Sequence, residues 1–575
     1  MKKLFALLLA VVMVLGMVAC AQTPGTNRPN NPNNNKPNTP NSGNEEITFP
    51  LKEEVTLKMA TGYGSLVSNI NKALAANTLW QDLYAMTNVK IELVACNDVT
   101  TLNGLMQMDS YGDIICLNGM GGMNESVISQ LIATGKLMPL NDYMTDPDIM
   151  PNFHNRVLTE NPEILGTLTS PDGNIYTFGS YNAEKSAYLE SSIWINKAWL
   201  DKANLGFDVP TTLEELEKFF DWIMKNDPNG DGDHDEVPYA CYPMGGTMIE
   251  ALLGMWGIPT KDGVNDNYVY MEDGEVLFAP QQEAYKDFLK TMRKWMDKGW
   301  MYQDYILGCS DEDLRIYENY MNELVRDNGN PVRVGMWTGT GAPARSQVTD
   351  KEGNVSNGDY ISILPPTVKG YETRWYFNPG YMGAKGIAAI AANCENPEIA
   401  CKWLDLFYDG DIGERKTYAE DGSEFKFIDA EGKVSRAKIK KEREEQLIEV
   451  PGQFPLGMIF SGLPSATNQD DLENRYAATD AVIAQRAALE QYKDVRNKEV
   501  WPRPYFSEDG AEALSECRGD VMLVVERFRA QAIMGEIDID SRWQKFQDDL
   551  EAVEVEEMLY YMQEAYDVWA EGMGN

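Results

Sequence analysis

Asp227-Pro228-Asn229-Gly230-Asp231-Gly232-Asp233-His234-Asp235-Glu236 sets side-chain oxygens at positions 227, 229, 231, 233, 235 and 236. Calcium takes roughly six to eight oxygen ligands, and a loop supplies them when alternate residues turn inward and glycines allow sharp bends between them. Gly230 and Gly232 supply the bends, so Asp227, Asn229, Asp231, Asp233, Asp235 and Glu236 form a candidate set for a structural Ca2+. In an EF-hand the bidentate glutamate stands at the twelfth position, occupied here by Pro238, which leaves that part to Glu236 at the tenth. The loop is EF-like in spacing without being an EF-hand.

Immediately before it, Pro210-Thr211-Thr212-Leu213-Glu214-Glu215 places a threonine three residues ahead of a glutamate, the sequence form of a capping box. Leu213, Leu216, Phe219, Phe220 and Ile223 recur with helical period and Asp227-Pro228 ends the run, which predicts a helix over about 212–225. Further upstream stands Trp194-Ile195-Asn196-Lys197-Ala198-Trp199-Leu200. That run, the capped helix and the pattern Asp-Pro-Asn-Gly-x-Gly-x-x-Asp-Glu-x-Pro together resemble the extracellular solute-binding lipoproteins of bacterial carbohydrate ABC importers, family 1 type. The large Gram-positive sugar-binding lipoproteins and the calcium-bearing alginate-oligosaccharide-binding proteins look similar at the same place. The resemblance covers nearly all of the mature chain. It implies an α/β, two-lobed periplasmic-binding-protein-like fold of type II, with a hinge between the lobes and a helical C-terminal region. It also implies a monomeric, non-catalytic receptor that captures an oligosaccharide and delivers it to the membrane subunits of an importer.

At the other end, Lys2-Lys3 precedes sixteen apolar or small residues, Leu4 to Ala19, a run too short to span a membrane comfortably and suited to a secretory signal. Met17-Val18-Ala19-Cys20 fits a bacterial lipobox; the resemblance implies cleavage before Cys20, acylation of Cys20, and residence on the extracytoplasmic face of the cell membrane. Residues 21–46 are mostly Asn, Pro, Thr and Gly, a composition that cannot bury apolar surface. Such a tether of 26 residues, at about 5 to 6 Å times the square root of length, holds the folded part roughly 30 Å from the membrane. The expected organisation is a signal peptide over 1–19, lipidated cysteine and tether over 20–50, one lobe over 51–186 and 385–455, and a second over 187–384 and 456–575.

The 50 basic and 89 acidic residues give a net charge of −39, which argues against nucleic acid or anionic lipid as partners, since both select a cationic surface. Seven cysteines follow Cys20, an odd number with no CxxC pair, so no disulfide framework is expected; Cys116 and Cys401 read as small buried hydrophobes. Between Glu53 and about Ser186, strand-like runs (55–60, 89–94, 113–117) alternate with helical ones, predicting a mainly parallel sheet. Residues 187–196 read as a crossing to the second lobe. That lobe would carry an apolar helix over 248–256, a strand over 275–278, a helix near 284–298 and a buried strand over 332–337. Gly386–Ala391 would re-enter the first lobe, followed by a helix opened by Asn396-Pro397. Residues 410–450 read as an irregular, β-rich excursion, and the tail as helices over 477–492, 510–534, 539–550 and 555–568, the third capped by Asp540-Ser541-Arg542-Trp543.

Catalytic signatures are absent: there are two histidines, no HExxH, no GxSxG and no GxxxxGK. Glycoside hydrolysis needs only two placed carboxylates, so a polysaccharide-active surface enzyme stands as the alternative, along with a peptide- or solute-binding sensor lipoprotein. A sugar cleft uses aromatic faces and a few polar groups. Tyr63, Tyr181, Trp256, Trp337, Trp375 and Tyr381 are the aromatic candidates, with Asp98 and Asn118 as weaker polar ones.

Overall fold

The computed structural model of the chain describes residues 46–62, 74–75, 77–185, 189, 191–241, 249–260, 268–301, 332–339, 348–349, 355–356, 358–378, 385–418, 426–428, 431–436, 456–458, 462–478 and 480–573. The chain divides into two compact units, Met1–Thr48 and Phe49–Asn575, and every described helix and strand lies in the second.

Two sheets organise that unit. The first has the order Val89–Ala95, Val55–Thr61, Ile114–Cys116, Ala388–Ile390, Thr177–Phe178. Its first three strands are parallel, with Val55 opposite Val89 and Met59 opposite Ile114. The helices Thr78–Thr87 and Val99–Gln107 provide the crossovers that parallel pairing requires. Ala388–Ile390 enters antiparallel between Ile114–Cys116 and Thr177–Phe178. The sheet is therefore mixed, because a strand returning from far along the chain is not bound by a local crossover. Ile114, Ile115 and Cys116 are fully buried at the centre, while the edge strand keeps Lys90 and Glu92 paired at 2.8 Å on an exposed face. Charge on an edge strand discourages pairing with another chain.

The second sheet has the order Tyr360–Ile363, Ser192–Asn196, Val334–Gly339, Val237–Cys241. Ser192–Asn196 is antiparallel to both neighbours, and Val334–Gly339 is parallel to Val237–Cys241. All residues of the three inner and edge strands 192–196, 237–241 and 334–339 are buried, as expected of a sheet covered on both faces. The helix Leu213–Ile223 lays Leu216, Phe219, Phe220 and Ile223 against it, and Phe220 meets Trp295 and Trp300 edge-on at 5.1 and 5.7 Å. Each such side chain contributes about 1.5–3 kcal/mol through removal from water. The helix starts as its capping signal requires: Thr212 Oγ1 accepts from Glu215 N, and Glu215 Oε2 accepts from Thr211 N and Thr211 Oγ1.

Some local expectations shift. The apolar run near 248–256 winds as a 3-10 helix, Glu250–Trp256, with Gly254 flush against Arg374 O and the Trp375 ring, where a Cβ would lie 2.7 and 2.9 Å away. Residues 410–418, read as irregular, form a helix because Asp409 Oδ1 accepts from Asp411 N and Ile412 N at its start; a hairpin, Lys426–Ile428 with Val434–Arg436, follows. The helix Ile539–Ala552 is capped two residues earlier than read, by Asp538 accepting from Ser541 N.

The tail helices Glu508–Met534, Ile539–Ala552 and Val555–Met573 share one hydrophobic core with the second sheet. Phe528 stacks on Phe546 at 4.0 Å there. The first of them also touches the helix Glu125–Ala133, where Ser126 Oγ donates to Ala511 O at 3.4 Å, and just ahead of it Phe506 N donates to Ser129 Oγ at 2.9 Å. Residues 462–476 join the elements around the first sheet: Ala466–Thr467 pairs in parallel with Tyr181–Asn182, and Arg156 Nη2 meets the fully buried Asp471 carboxylate at 2.5 Å.

Candidate functional site

In open α/β sheets ligands collect beyond the carboxyl ends of the strands, where strand order reverses. On the first sheet those ends lead into Gly62, Asn97, Asn118 and Gly179–Asn182. On the second, Cys241, Gly339 and Ile363 end three strands that run the same way, and Ser192 starts the antiparallel strand beside them. Residues 63–73, 242–248 and 340–347 continue from three of these ends; together with 379–384 they lie outside the described residues, and so do Tyr63, Tyr381 and Cys20.

Tyr181 sits half-exposed at the first edge. Its backbone N–H donates to Ser465 O at 2.9 Å and its hydroxyl to Glu160 Oε2 at 3.2 Å. Burial, helped by the Glu160 carboxylate, pushes its pKa up to about 12, so the hydroxyl keeps its proton at physiological pH. Asn118 is exposed beyond the central strand. Asp98 is engaged as the cap of Val99–Gln107, accepting from Thr101 N at 2.7 Å, and those backbone donors hold its carboxyl below the usual range.

The three tryptophans lie deeper. Trp337 is 3% exposed, pairs in register with Trp194, and folds its indole over Gly339, where a Cβ would come within 2.6 Å of Nε1. Trp375 is 1% exposed; its Nε1 donates to Ser191 O at 2.7 Å and its ring meets Tyr492 at 5.7 Å. Tyr492 in turn accepts from Ile193 N and donates to Ile363 O, so Trp375 and Tyr492 clamp the start of Ser192–Asn196. Trp256 packs edge-on against Phe288 at 5.4 Å inside the core. Trp256 and Trp375 are thus parts of the packed core in this arrangement, and only Tyr181 among the described aromatic candidates meets solvent appreciably.

The loop 227–236 spans the end of Leu213–Ile223 and the start of Val237–Cys241. Asp227 Oδ1 and Oδ2 accept from Gly230 N (2.6 Å) and Gly232 N (3.0 Å), Asn229 Oδ1 from Asp231 N, and Asp231 Oδ1 from Asp233 N. Gly230 and Gly232 adopt φ of +78° and +92°, the left-handed region that side chains disfavour. Glu236 is nearly buried and accepts from Asn229 N at 3.4 Å. Burial raises its pKa first, the Asn229 N–H lowers it, and the charges of Asp227 and Asp235 raise it again. Asp235 is drawn sideways: Arg333 Nε lies 2.8 Å from Oδ2, while Oδ1 is buried without a hydrogen-bond partner.

The donor set, four aspartates, one glutamate and an asparagine amide, fits a hard cation, and an orphaned Asp235 Oδ1 beside mutually repelling carboxylates is what a cation would relieve. The accepting oxygens retain further lone pairs. The carboxylates are turned onto backbone N–H groups, and among the described residues no three acidic, cysteine or histidine side chains converge as a metal cluster.

Sequence reasoning missed residues 462–467 at the first edge. Gly462, at φ +95°, lies so close to Cys116 and Asn118 that a Cβ would come within 2.6 Å of Cys116 Cβ, and Ser465 Oγ donates to Ser180 Oγ at 3.2 Å. Their placement follows from nonlocal pairing that leaves no local signal.

No family model matches the chain. The fructooligosaccharide ABC transporter substrate-binding protein FusA of Streptococcus pneumoniae serotype 4 is 25% identical over 541 residues, 91% of this chain and 92% of that protein. S. pneumoniae FusA in complex with kestose superposes with a TM-score of 0.69 at 21% identity, over 89% of this chain and 99% of that one; an EF-hand mutant in complex with fructo-nystose gives 0.69 at 20%, over the same shares. The alginate-binding protein AlgQ2 without calcium ion gives 0.64 at 19%, over 91% of this chain and 100% of that one. The chain has the two-lobed, periplasmic-binding-protein-like α/β fold of these structures.

Proposed function

We propose, from homologues that are substrate-binding proteins of carbohydrate ABC transporters, that this chain captures an oligosaccharide between two lobes and delivers it to an importer. The carrying observation is the length of the likeness, which runs through 91% of this chain and 92% of FusA. The lobes are taken as 51–186 with 385–455 and 187–384 with 456–575, and the pairing of Ala466–Thr467 with Tyr181–Asn182 supports counting 462–476 with the first. Closure would bring the carboxyl ends of the two sheets together, with Tyr181, Asn118 and Trp337 on or beside the ligand surface. Tyr181 offers a ring face and a protonated hydroxyl to a neutral sugar; Tyr63 and Tyr381 remain candidates for the same surface.

The chain acts as a receptor and not as an enzyme, held at the extracytoplasmic face by acylated Cys20 through residues 21–46. A structural Ca2+ would be held by Asp227, Asn229, Asp231, Asp233 and Glu236, with Asp235 completing the set if it leaves Arg333. When bound, the ion neutralises the loop carboxylates and fixes the joint between helix and strand.

Titration of the soluble chain with an oligosaccharide panel that includes kestose, followed by tryptophan fluorescence, tests the reading. Saturable binding with the oligosaccharide recovered intact after a day is expected. Shorter products, abolished by amidating one of two cleft carboxylates, would instead establish a glycosidase, and binding of peptides but no sugar would establish the sensor alternative.

A further inference from the structure

The helix Gly410–Tyr418 carries a lysine, Lys416, that is 8% exposed, and its Nζ donates to Leu463 O at 3.2 Å and Pro464 O at 2.8 Å. Among the described residues no carboxylate faces it. On its own helix, Asp411 and Glu414 are taken by Arg475 at 2.7 and 3.0 Å, Arg415 is taken by Asp82 at 2.5 Å, and Tyr418 meets the Tyr476 ring at a tilt of 47°. The facing segments 456–458 and 462–467 carry no titratable side chain. On the preceding turn, Tyr408 donates to Gly179 O. A buried ammonium whose partners among the described residues are two carbonyls is a costly way to hold a fold, since an apolar side chain of the same length would fill the space without desolvating a charge.

What the ammonium fixes is the segment at the first sheet's ligand edge. Leu463 and Pro464 stand between Gly462, which packs on Cys116 and Asn118, and Ser465, whose carbonyl accepts from Tyr181 N and whose hydroxyl meets Ser180. Thr467 O, two residues on, accepts from Ala183 N at 2.8 Å. We propose that Lys416 is a positioning residue for the oligosaccharide: by holding the carbonyls of Leu463 and Pro464 it sets Gly462–Thr467, and through them Ser180 and Tyr181, at the ligand edge. This rests on the reading of that edge as the sugar surface. Burial lowers the Lys416 pKa to about 8, so the closed segment holds the amine's proton less tightly than an opened, solvated one, and raising the pH through about 8 favours the closed segment.

The full chain, with Lys416→Met and Lys416→Arg variants, decides the matter. Hydrogen exchange at the amides of Tyr181 and Ala183 needs no ligand; in Lys416→Met their protection is expected to fall about tenfold, with Ile195 in the second sheet unchanged and with melting no lower than in the parent. Kestose affinity is expected to weaken at least about tenfold in Lys416→Met and to recover in Lys416→Arg. If Lys416→Met fails to fold, the parent's pH profile still reads the role, because protection at Tyr181 relative to Ile195 is expected to rise as pH passes about 8 and the buried ammonium sheds its costly charge. Unchanged protection in Lys416→Met, or a flat parent profile, would overturn the proposal. Lost protection without kestose binding by the parent would count against the sugar chosen while supporting the positioning role.

Discussion

Arg333 grips Asp235 twice over: its Nε lies 2.8 Å from the Asp235 carboxylate, and its Nε and Nη2 also donate to the Asp235 carbonyl at 3.1 and 2.9 Å. Arg333 immediately precedes Val334–Gly339, the strand that carries Trp337. The acidic loop is thereby fastened to the strand that ends at the proposed sugar surface.

Calcium should stabilise the chain by mass action, about 2.7 kcal/mol when the free ion is 100 times its dissociation constant, with affinities of extracellular loops at about 10⁻⁴ to 10⁻³ M or tighter. Calorimetric melting with and without chelator measures this directly. Chelator is expected to lower the melting temperature of the parent and to leave Asp227→Ala and Glu236→Ala unaffected. Identical melting of the parent in both conditions would falsify the assignment.

Trp375→Ala should destabilise folding itself, by about 3–5 kcal/mol, the usual cost of emptying a buried aromatic site. The Ser191 carbonyl and the Tyr492 ring both lose their partner. Denaturant unfolding read by circular dichroism is the check. A large loss of sugar affinity with unaltered stability would show that Trp375 leaves the core to meet ligand.

Asp405 is 2% exposed and accepts from Asn152 N, Asn152 Nδ2 and Phe153 N. Burial, against those donors, moves its pKa from 3.8 up to about 6. A carboxyl with a raised folded-state pKa binds its proton better when folded, so its contribution is fully present below pH 3.8 and is lost as pH rises to about 6. Relative to Asp405→Asn, parent stability should therefore fall through that window, by on the order of 3 kcal/mol, and run parallel above it. Parallel curves throughout the window would remove the carboxyl as the source.

A chain beginning at Glu46 should fold and bind as the mature chain does, because residues 21–46 lack side chains that build a core. Cys20→Ala should release the protein from membranes with no change in affinity. Fractionation together with titration reads both, and aggregation of the shortened chain would assign the Asn/Pro-rich stretch a part in folding.

Local chemistry made much of this protein legible in the sequence. The helix Leu213–Ile223 follows from Thr211-Thr212, Glu215 and an apolar period of 3.6, all within a few residues of one another. The helix Pro397–Asp405 follows from Asn396-Pro397, and the apolar strands Val55–Thr61 and Ile114–Cys116 from their own side chains. The oxygen-rich spacing of 227–236 is likewise a property of consecutive residues. Tertiary structure alone decided that Ala388–Ile390 enters antiparallel, that Asp235 turns to Arg333, that Trp256 and Trp375 serve the core, and that Lys416 supports Leu463 and Pro464. Each of these joins residues far apart in the chain, whose meeting is fixed by how apolar surface and charge are jointly buried; hydrophobic period and capping signals reach only a turn or two and carry no record of that choice.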